Sequence, residues 1–266
     1  MILKILHLNI ERSKHIESVI KLLNEKNPDI ICFEEAMYKD MKRISTDLKY
    51  ELAFAPRVII KKDDDVDKEG SAILSKYPIK ETKIFRYDGN DSTELVICDE
   101  SKVISIDGKR PDDRFQLFSN FITISIECDE GKIINIATTH FPVVDHSTPG
   151  LKDHELDKMR DIFEIENVDL YLERLISLIR KISAPIIFTA DLNNSRGEYI
   201  YDTIAHELID IVPSSIISTI DPVLHRRSDL LLLVDTIMIS PDVSVESFEI
   251  MAGISDHKAL ISSLNI

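Results

Sequence analysis

The chain has no tryptophan among its 266 residues, and aromatic side chains make up only 6% of it. Proteins that grip single strands stack the bases on aromatic platforms set among basic residues, and no such interleaving occurs here. An excess of positive charge is missing as well: 32 Lys and Arg face 47 Asp and Glu, for a net charge of −15. Duplex nucleic acid is generally held by a basic face that neutralises phosphates, so tight, sequence-independent duplex-DNA binding is not expected. A locally basic cleft in an acidic chain remains compatible with this balance.

Cysteine is scarce and unpaired in pattern: Cys32, Cys98 and Cys128 are scattered, with no CxxC. That arrangement makes no disulfide framework, and Cys32, inside an apolar run, reads as a small core residue. No stretch approaches the ~20 consecutive apolar residues of a membrane span. The opening MILKILHLNIERSK has too short an apolar run for a secretory signal and no small-residue cleavage site. A cytoplasmic, reducing location is therefore expected. Internal repeats and low-complexity linkers are absent too. The 44% hydrophobic and 30% charged residues fit an ordinary globular protein, and 266 residues suffice for one large domain or two small ones. A single domain over residues 1–266, acting as a monomer, is expected.

What the chain does have is a set of apolar, strand-like runs that end in polar groups able to do chemistry. KILHLN ends at Asn9, PDIICFEE at Glu35 and IINIATTH at His140. PIIFTADLN delivers Asp191 and Asn193, and VDTIMIS followed by SDH supplies Asp235, Ser255, Asp256 and His257. Buried β-branched strands are a poor place for such groups unless they gather at one sheet edge, where a rigid scaffold positions them.

Between these runs the periodicity switches. Ser13 to Lys26 reads as a helix with Ile16, Val19, Ile20 and Leu23 on one face, Ser13 as its N-cap and Pro28 as its stop. A second helix is expected from Ala36 to Leu48, a long one over 154–182 and a short one over 198–208. KKDDDVDKEG (61–70) reads as a solvated hairpin or loop; an Asp-rich calcium loop would need EF-hand spacing and a terminal glutamate that it lacks. GKRPDD (108–113) marks an exposed loop, 120–140 a hairpin, and 258–264 a closing strand. Strands before, between and after helices indicate one α/β unit of sheets and covering helices.

In order and spacing, these segments resemble the endonuclease/exonuclease/phosphatase superfamily. KILHLNI stands where that family has its "WN" strand, and PDIICFEEA where it has "PDIICLQE". GSAILSKYPI resembles "GxAILSRYPI", TTHFP "NTHL", TADLNN "GDFN", VDTIMIS "IDYIxxS" and SDHKALI "SDHxPV". Each match alone is weak; together, in order, they span nearly the whole chain.

The resemblance implies a four-layer α/β sandwich of two packed, mostly antiparallel sheets flanked by helices, with the site at one edge. It also implies a phosphoesterase dependent on Mg²⁺ or Mn²⁺. Glu35 takes the place of the metal-binding glutamate, with Glu34 where glutamine is usual. Asn9 takes the place of the asparagine that supports the metal and phosphate, and Asp256 a metal-linked place. Glu11 falls where some members carry a carboxylate near the metal. Asp191 matches the aspartate that prepares the attacking water, and Asn193 the asparagine that contacts the phosphate. His257 matches the catalytic histidine, Asp235 the carboxylate that orients it, and His140 a second histidine. His7, His15, His146, His154, His206 and His225 match no motif and read as surface or structural.

Leu8, Ala190 and Thr236 stand where the family often has tryptophan, glycine and tyrosine. Those scaffold positions blur the subfamily more than the chemistry. The substrate class implied is a phosphodiester or phosphomonoester, from a small molecule, a lipid headgroup or a nucleic-acid end. A nuclease acting on single-stranded or damaged DNA or RNA ends is the alternative. A non-catalytic scaffold that binds a phosphorylated ligand is a third reading, and it would be marked by loss of Glu35, Asp191 or His257.

Overall fold

The computed structural model describes residues 1–62, 64–87, 97–99, 119–128, 131–142 and 168–266. The chain begins with β1 (Ile2–Asn9), α1 (Ile16–Lys26), β2 (Ile30–Met37) and α2 (Tyr38–Leu48). β3 (Glu51–Lys62), β4 (Asp65–Ser75), β5 (Ile79–Arg86), β6 (Ile97–Asp99), β7 (Asn120–Glu127) and β8 (Ile133–His140) follow. Then come α3 (Val168–Arg180), β9 (Ile186–Asp191), α4 (Tyr199–Ala205) and β10 (Ile209–Asp210). β11 (Asp235–Ile239), β12 (Ser244–Met251) and β13 (Ala259–Asn265) close the chain.

These strands make two sheets. The seven-stranded sheet runs β12-β13-β1-β2-β4-β3-β6 and the six-stranded sheet β10-β11-β9-β8-β7-β5. β1–β2, β3–β6 and β8–β9 pair in parallel and every other named ladder is antiparallel. The sandwich expected from the resemblance is the architecture found.

Two apolar layers explain why the sheets stack. Leu3, Ile5, Ile30, Cys32 and Ile73 of the first sheet pack with Ile122, Ile136 and Phe188 of the second in the larger cluster. That cluster continues to the second sheet's outer face, where α3 contributes Leu172, Leu175 and Ile179 and α4 contributes Ile200 and Ile204. On the outer face of the first sheet, Leu6, Leu8, Ile31 and Phe33 meet Val19, Leu22 and Leu23 of α1 and Met41 and Ile44 of α2. Burying one such side chain stabilises by about 1.5–3 kcal/mol, so each helix is fixed by its stripe rather than by intrinsic propensity.

Some local expectations shift. α1 starts at Ile16 with His15 at the cap position, and no side chain caps it. Glu11 and Arg12 take left-handed backbone (φ 47° and 61°), so the turn lies further along the chain, and the Ser13 hydroxyl instead donates to Asp40 Oδ2 at 2.5 Å. At 61–70, where a solvated hairpin or loop is expected, the structure has the hairpin: β3 and β4 stay paired out to Lys62 and Asp65. Of the long helix expected over 154–182, the described part is α3; residues 154–167 lie outside the described residues, as do the 108–113 loop, His146 and His154.

Candidate functional site

Alternation along β1 decides which groups enter the space between the sheets. Leu3 and Ile5 belong to the inter-sheet cluster and Leu6 and Leu8 to the outer one, so His7 and Asn9 follow Leu3 and Ile5 inward. In the second sheet, His140 is the ladder partner of Asp191, and Asp191 of Asp235. Three polar strand ends therefore stand in one row, facing the end of β1.

The two sheets are joined through this row. Asn9 Nδ2 donates to Asp191 Oδ2 at 3.0 Å, and His7 Nε2 lies 3.3 Å from Asp235 Oδ1. The loop after β12 brings in His257, whose Nδ1 lies 2.7 Å from Asp235 Oδ2 and whose Nε2 lies 3.9 Å from Asp191 Oδ2. One ligand atom from each of Asp191, Asp235 and His257 thus lies within 4.8 Å of the other two. A segment from Ser218 to Asp221 clamps that loop: Asp221 N donates to Asp256 O, Gly253 N to Asp221 Oδ2, and Ile220 bridges His257.

The electrostatics separate the roles. Burial alone would pull the His257 imidazole down, but the Asp235 and Asp191 carboxylates hold it well above its ordinary value, so it is an imidazolium. Burial alone would push Asp235 up, and the His257 charge with bonds from His257 and His7 outweighs it, leaving an ionised carboxylate. Asp191 is raised, by burial first and by Asp235, against the pull of His257 and Asn9. A carboxylate poised above its usual range beside an imidazolium is an acid–base arrangement.

Asn193 continues the strand end in left-handed backbone (φ 47°), with its N–H on Asp191 Oδ1 at 3.0 Å. Its side-chain Nδ2 donates to Phe141 O at 2.9 Å and lies 2.7 Å from His140 Nε2. A carbonyl only accepts, so the amide nitrogen must face Phe141, and its second hydrogen meets an unprotonated Nε2 on His140. His140 is held well below its ordinary value, by burial and then by Arg57 and His257. It is a neutral imidazole with its hydrogen on Nδ1, and that buried atom has no hydrogen-bond partner among the described residues.

Glu35 sits apart from this row at a bulge between β2 and β4, with φ 51°. The bulge sends the two adjacent glutamates to different places. Glu34 is fully buried between the sheets, taking hydrogen bonds from Ser71 and from Thr138 at 2.5 Å. Glu35 is partly open, and burial with Glu69 and Asp256 pushes it up to about 7 against Arg57 and Arg12. Glu69 is held by Arg57 at 2.9 Å and Arg12 at 3.2 Å. The charge of Asp256 adds to the rise at Glu35, and a hard divalent cation, which takes carboxylate oxygens, would offset it. The Asp191–Asp235–His257 cluster fits one less well, because Asp235 Oδ2 already takes the His257 hydrogen.

Asn9, His140, Asp191, Asn193, Asp235 and His257 are thus joined by direct contacts; Asp256 precedes His257 in the chain and its charge reaches Glu35, which stands apart. Asn9 Oδ1 accepts Glu11 N at 3.1 Å, and Glu11 is engaged with Lys14 at 2.8 Å and His15 at 3.1 Å. Three groups escaped the sequence reading. His7, which matches no motif and reads as surface or structural, is wholly buried against Asp235, and its alternation with Asn9 was the available signal. Arg57 reaches Glu35 and Glu69 from the bulge after Pro56, and nothing in its local sequence marks it. His225 stands with its ring 6.4 Å from that of His257, brought there by a long connection without regular periodicity.

Comparison with known proteins agrees with this geometry. Residues 6–257 match the model of the Endonuclease/Exonuclease/phosphatase family. No curated protein sequence matches the chain. Among solved structures, an endonuclease/exonuclease/phosphatase from Bacteroides vulgatus superposes with TM-score 0.69 at 17% identity, over 100% of this chain and 99% of that one. A mannosyl-6-phosphatase from Bacteroides thetaiotaomicron gives 0.63 at 16% identity, over 99% and 100% of the two chains. D. rerio TDP2, complexed with a single-strand DNA product, gives 0.64 at 13% identity, over 100% and 99%. At these identities the structural likeness speaks for the fold, and the matched family model, spanning all but the ends of the chain, speaks for descent: the chain belongs to the endonuclease/exonuclease/phosphatase family.

Proposed function

We propose that the chain is a divalent-metal-dependent hydrolase of phosphoric esters that works by in-line attack of water. The observation that carries this reading is the convergence of Asp191 with the Asp235–His257 pair, 3.9 Å from Asp191 Oδ2 to His257 Nε2. Glu35 and Asp256, with Asn9 in support, are the residues that would hold Mg²⁺ or Mn²⁺, which when bound supplies charge neutralisation at a phosphoryl oxygen.

The remaining steps belong to the chain's own side chains. Asp191, raised by burial and kept in place by Asn9 Nδ2 and the Asn193 N–H, takes the proton of the attacking water at its carboxylate. The His257 imidazolium offers the hydrogen on Nε2 to the phosphoryl or leaving oxygen, where charge grows. Asp235 fixes the tautomer by holding Nδ1 at 2.7 Å and keeps the ring charged. His140 stays neutral beside them, its Nε2 fixed by Asn193 at 2.7 Å and 3.6 Å from Asp191 Oδ2, so it adds no second positive charge next to the base.

Phosphodiesters and phosphomonoesters other than long duplex DNA are the favoured substrates, given the net charge of −15. The test is product release from a panel with Mg²⁺, Mn²⁺ and EDTA arms. The panel holds bis-p-nitrophenyl phosphate, sugar and inositol phosphates, sphingomyelin, and single- and double-stranded oligonucleotides. Metal-dependent release from at least one member, silenced by EDTA, is the expected result. Ligand-induced stabilisation that needs no metal and yields no product would replace the hydrolase with a binding protein.

A further inference from the structure

We propose that His7 is a positioning residue for the Asp235–His257 pair: it donates from Nε2 to Asp235 Oδ1 and so keeps Oδ2 directed at His257 Nδ1. The inference rests on the catalytic reading of that pair given above.

His7 is wholly buried, and its Nδ1 has no hydrogen-bond partner among the described residues. The hydrogen bond seen on its ring is the one to Asp235, at 3.3 Å. An ionised carboxylate only accepts, so the facing Nε2 carries the hydrogen. Two imidazoles therefore divide the carboxylate between them, His7 on Oδ1 and His257 on Oδ2 at 2.7 Å.

Packing alone does not call for a histidine here. The inward neighbours on the same strand face are Leu3 and Ile5, and an apolar side chain in that series would avoid the cost of burying a half-satisfied imidazole. The scaffold is also rigid at this point. His7 pairs with Leu260 of β13 and Cys32 of β2, so β1 is a central strand, and Leu260 lies just beyond the loop that carries His257. Both imidazoles are thus set by one strand pair of the first sheet, while the carboxylate they share comes from the second. Without His7, Asp235 Oδ1 loses this second donor, and the carboxylate is free to turn about its own bond.

The test compares His7→Leu, which removes the donor, with His7→Gln, which places an amide N–H near the former Nε2. If His7→Leu does not fold, His7→Asn, whose amide overlays Nδ1 and falls short of Asp235, takes its place. For a lost orienting bond behind a site residue, kcat falls about 10-fold or more, with KM and the metal concentration dependence unchanged. His7→Gln recovers most of that loss. In metal-free protein the downfield proton NMR signal of His257 Nδ1–H persists in wild type and His7→Gln and is lost or broadened in His7→Leu. Wild-type kcat with an unchanged signal in His7→Leu overturns the proposal, as does a His7→Gln variant that folds yet is no better than His7→Leu. Asp235→Asn separates the two levels. If it is crippled while His7→Leu is not, only the positioning role falls; if it hydrolyses as wild type does, the catalytic reading falls and the inference with it.

Discussion

Asp235 is the residue on which the buried charges turn, with an imidazole on each oxygen and no exposure to solvent. Replacing it by asparagine keeps the shape and removes the charge that holds the His257 ring protonated and oriented. A fall in kcat of about 10²–10⁴-fold is expected, the range for a positioned acid–base group. Because Asp235 acts through His257, the double variant Asp235→Asn/His257→Ala should be little worse than His257→Ala alone. Additive losses, measured on the same substrate, would show that the two residues act separately. The resemblance brought out Asn9, His140, Asp191, Asn193, Asp235 and His257 as residues to look for, since each closes a recognisable motif. His7 was read as surface or structural because a single histidine within a strand carries no motif; only the register that aims it at Asp235 reveals it. The hydrogen-bond partners of Asn193 were equally illegible, because they depend on how the chain turns after β9 to meet His140 and Phe141.

At the scale of elements, the β2–β4–β3 unit holds Glu35, Glu69 and Arg57 in register, and a glycine makes that possible. Gly70 pairs with both Pro56 and Ala36. A Cβ at Gly70 would stand 2.0 Å from Ala55 O and 2.9 Å from Pro56 Cα, contacts that only a shift of β3 backbone can relieve. Gly70→Ala is expected to cost about 1–3 kcal/mol, as overpacking does, and to lower Tm by roughly 3–10 °C for a chain of this size. Calorimetry checks this, and an unchanged Tm would mean the two strands are not closely apposed. Most elements were legible, since β1, β2, β8, β9 and β13 are apolar runs with polar ends and α1 and α2 have clear apolar stripes. The bulge that separates Glu34 from Glu35 was not, since two adjacent glutamates read alike until one is buried under Ser71 and Thr138. The start of α1 was misplaced for a related reason: left-handed turns at Glu11 and Arg12 have no glycine to announce them.

At the scale of the whole molecule, the site exists because two sheets meet: Asn9 and His7 come from one, Asp191 and Asp235 from the other. Cys32 reports on that meeting. It is fully buried in the inter-sheet cluster, and burial pushes its thiol up to about 12. A thiol raised in this way stays protonated where an exposed one ionises, around pH 8–9. Labelling of Cys32 in a Cys98→Ser/Cys128→Ser chain should therefore not accelerate across pH 7–9 and should follow the rate of global unfolding. Fast, pH-dependent labelling in native buffer would show the sheets parting locally. The four-layer architecture could be anticipated from the order of the motifs, whereas the ladder register that sets His140, Asp191 and Asp235 in one row could not, because it depends on pairings between distant segments. The central claim is that this row, with His257, hydrolyses phosphoesters. Its most direct test is metal-dependent hydrolysis of the preferred panel substrate by wild type, Asp191→Asn and His257→Ala, side by side and matched for folding by Tm. Losses of at least about 10²-fold in both variants at unchanged Tm are predicted; hydrolysis undiminished in either one would contradict the assignment of the site.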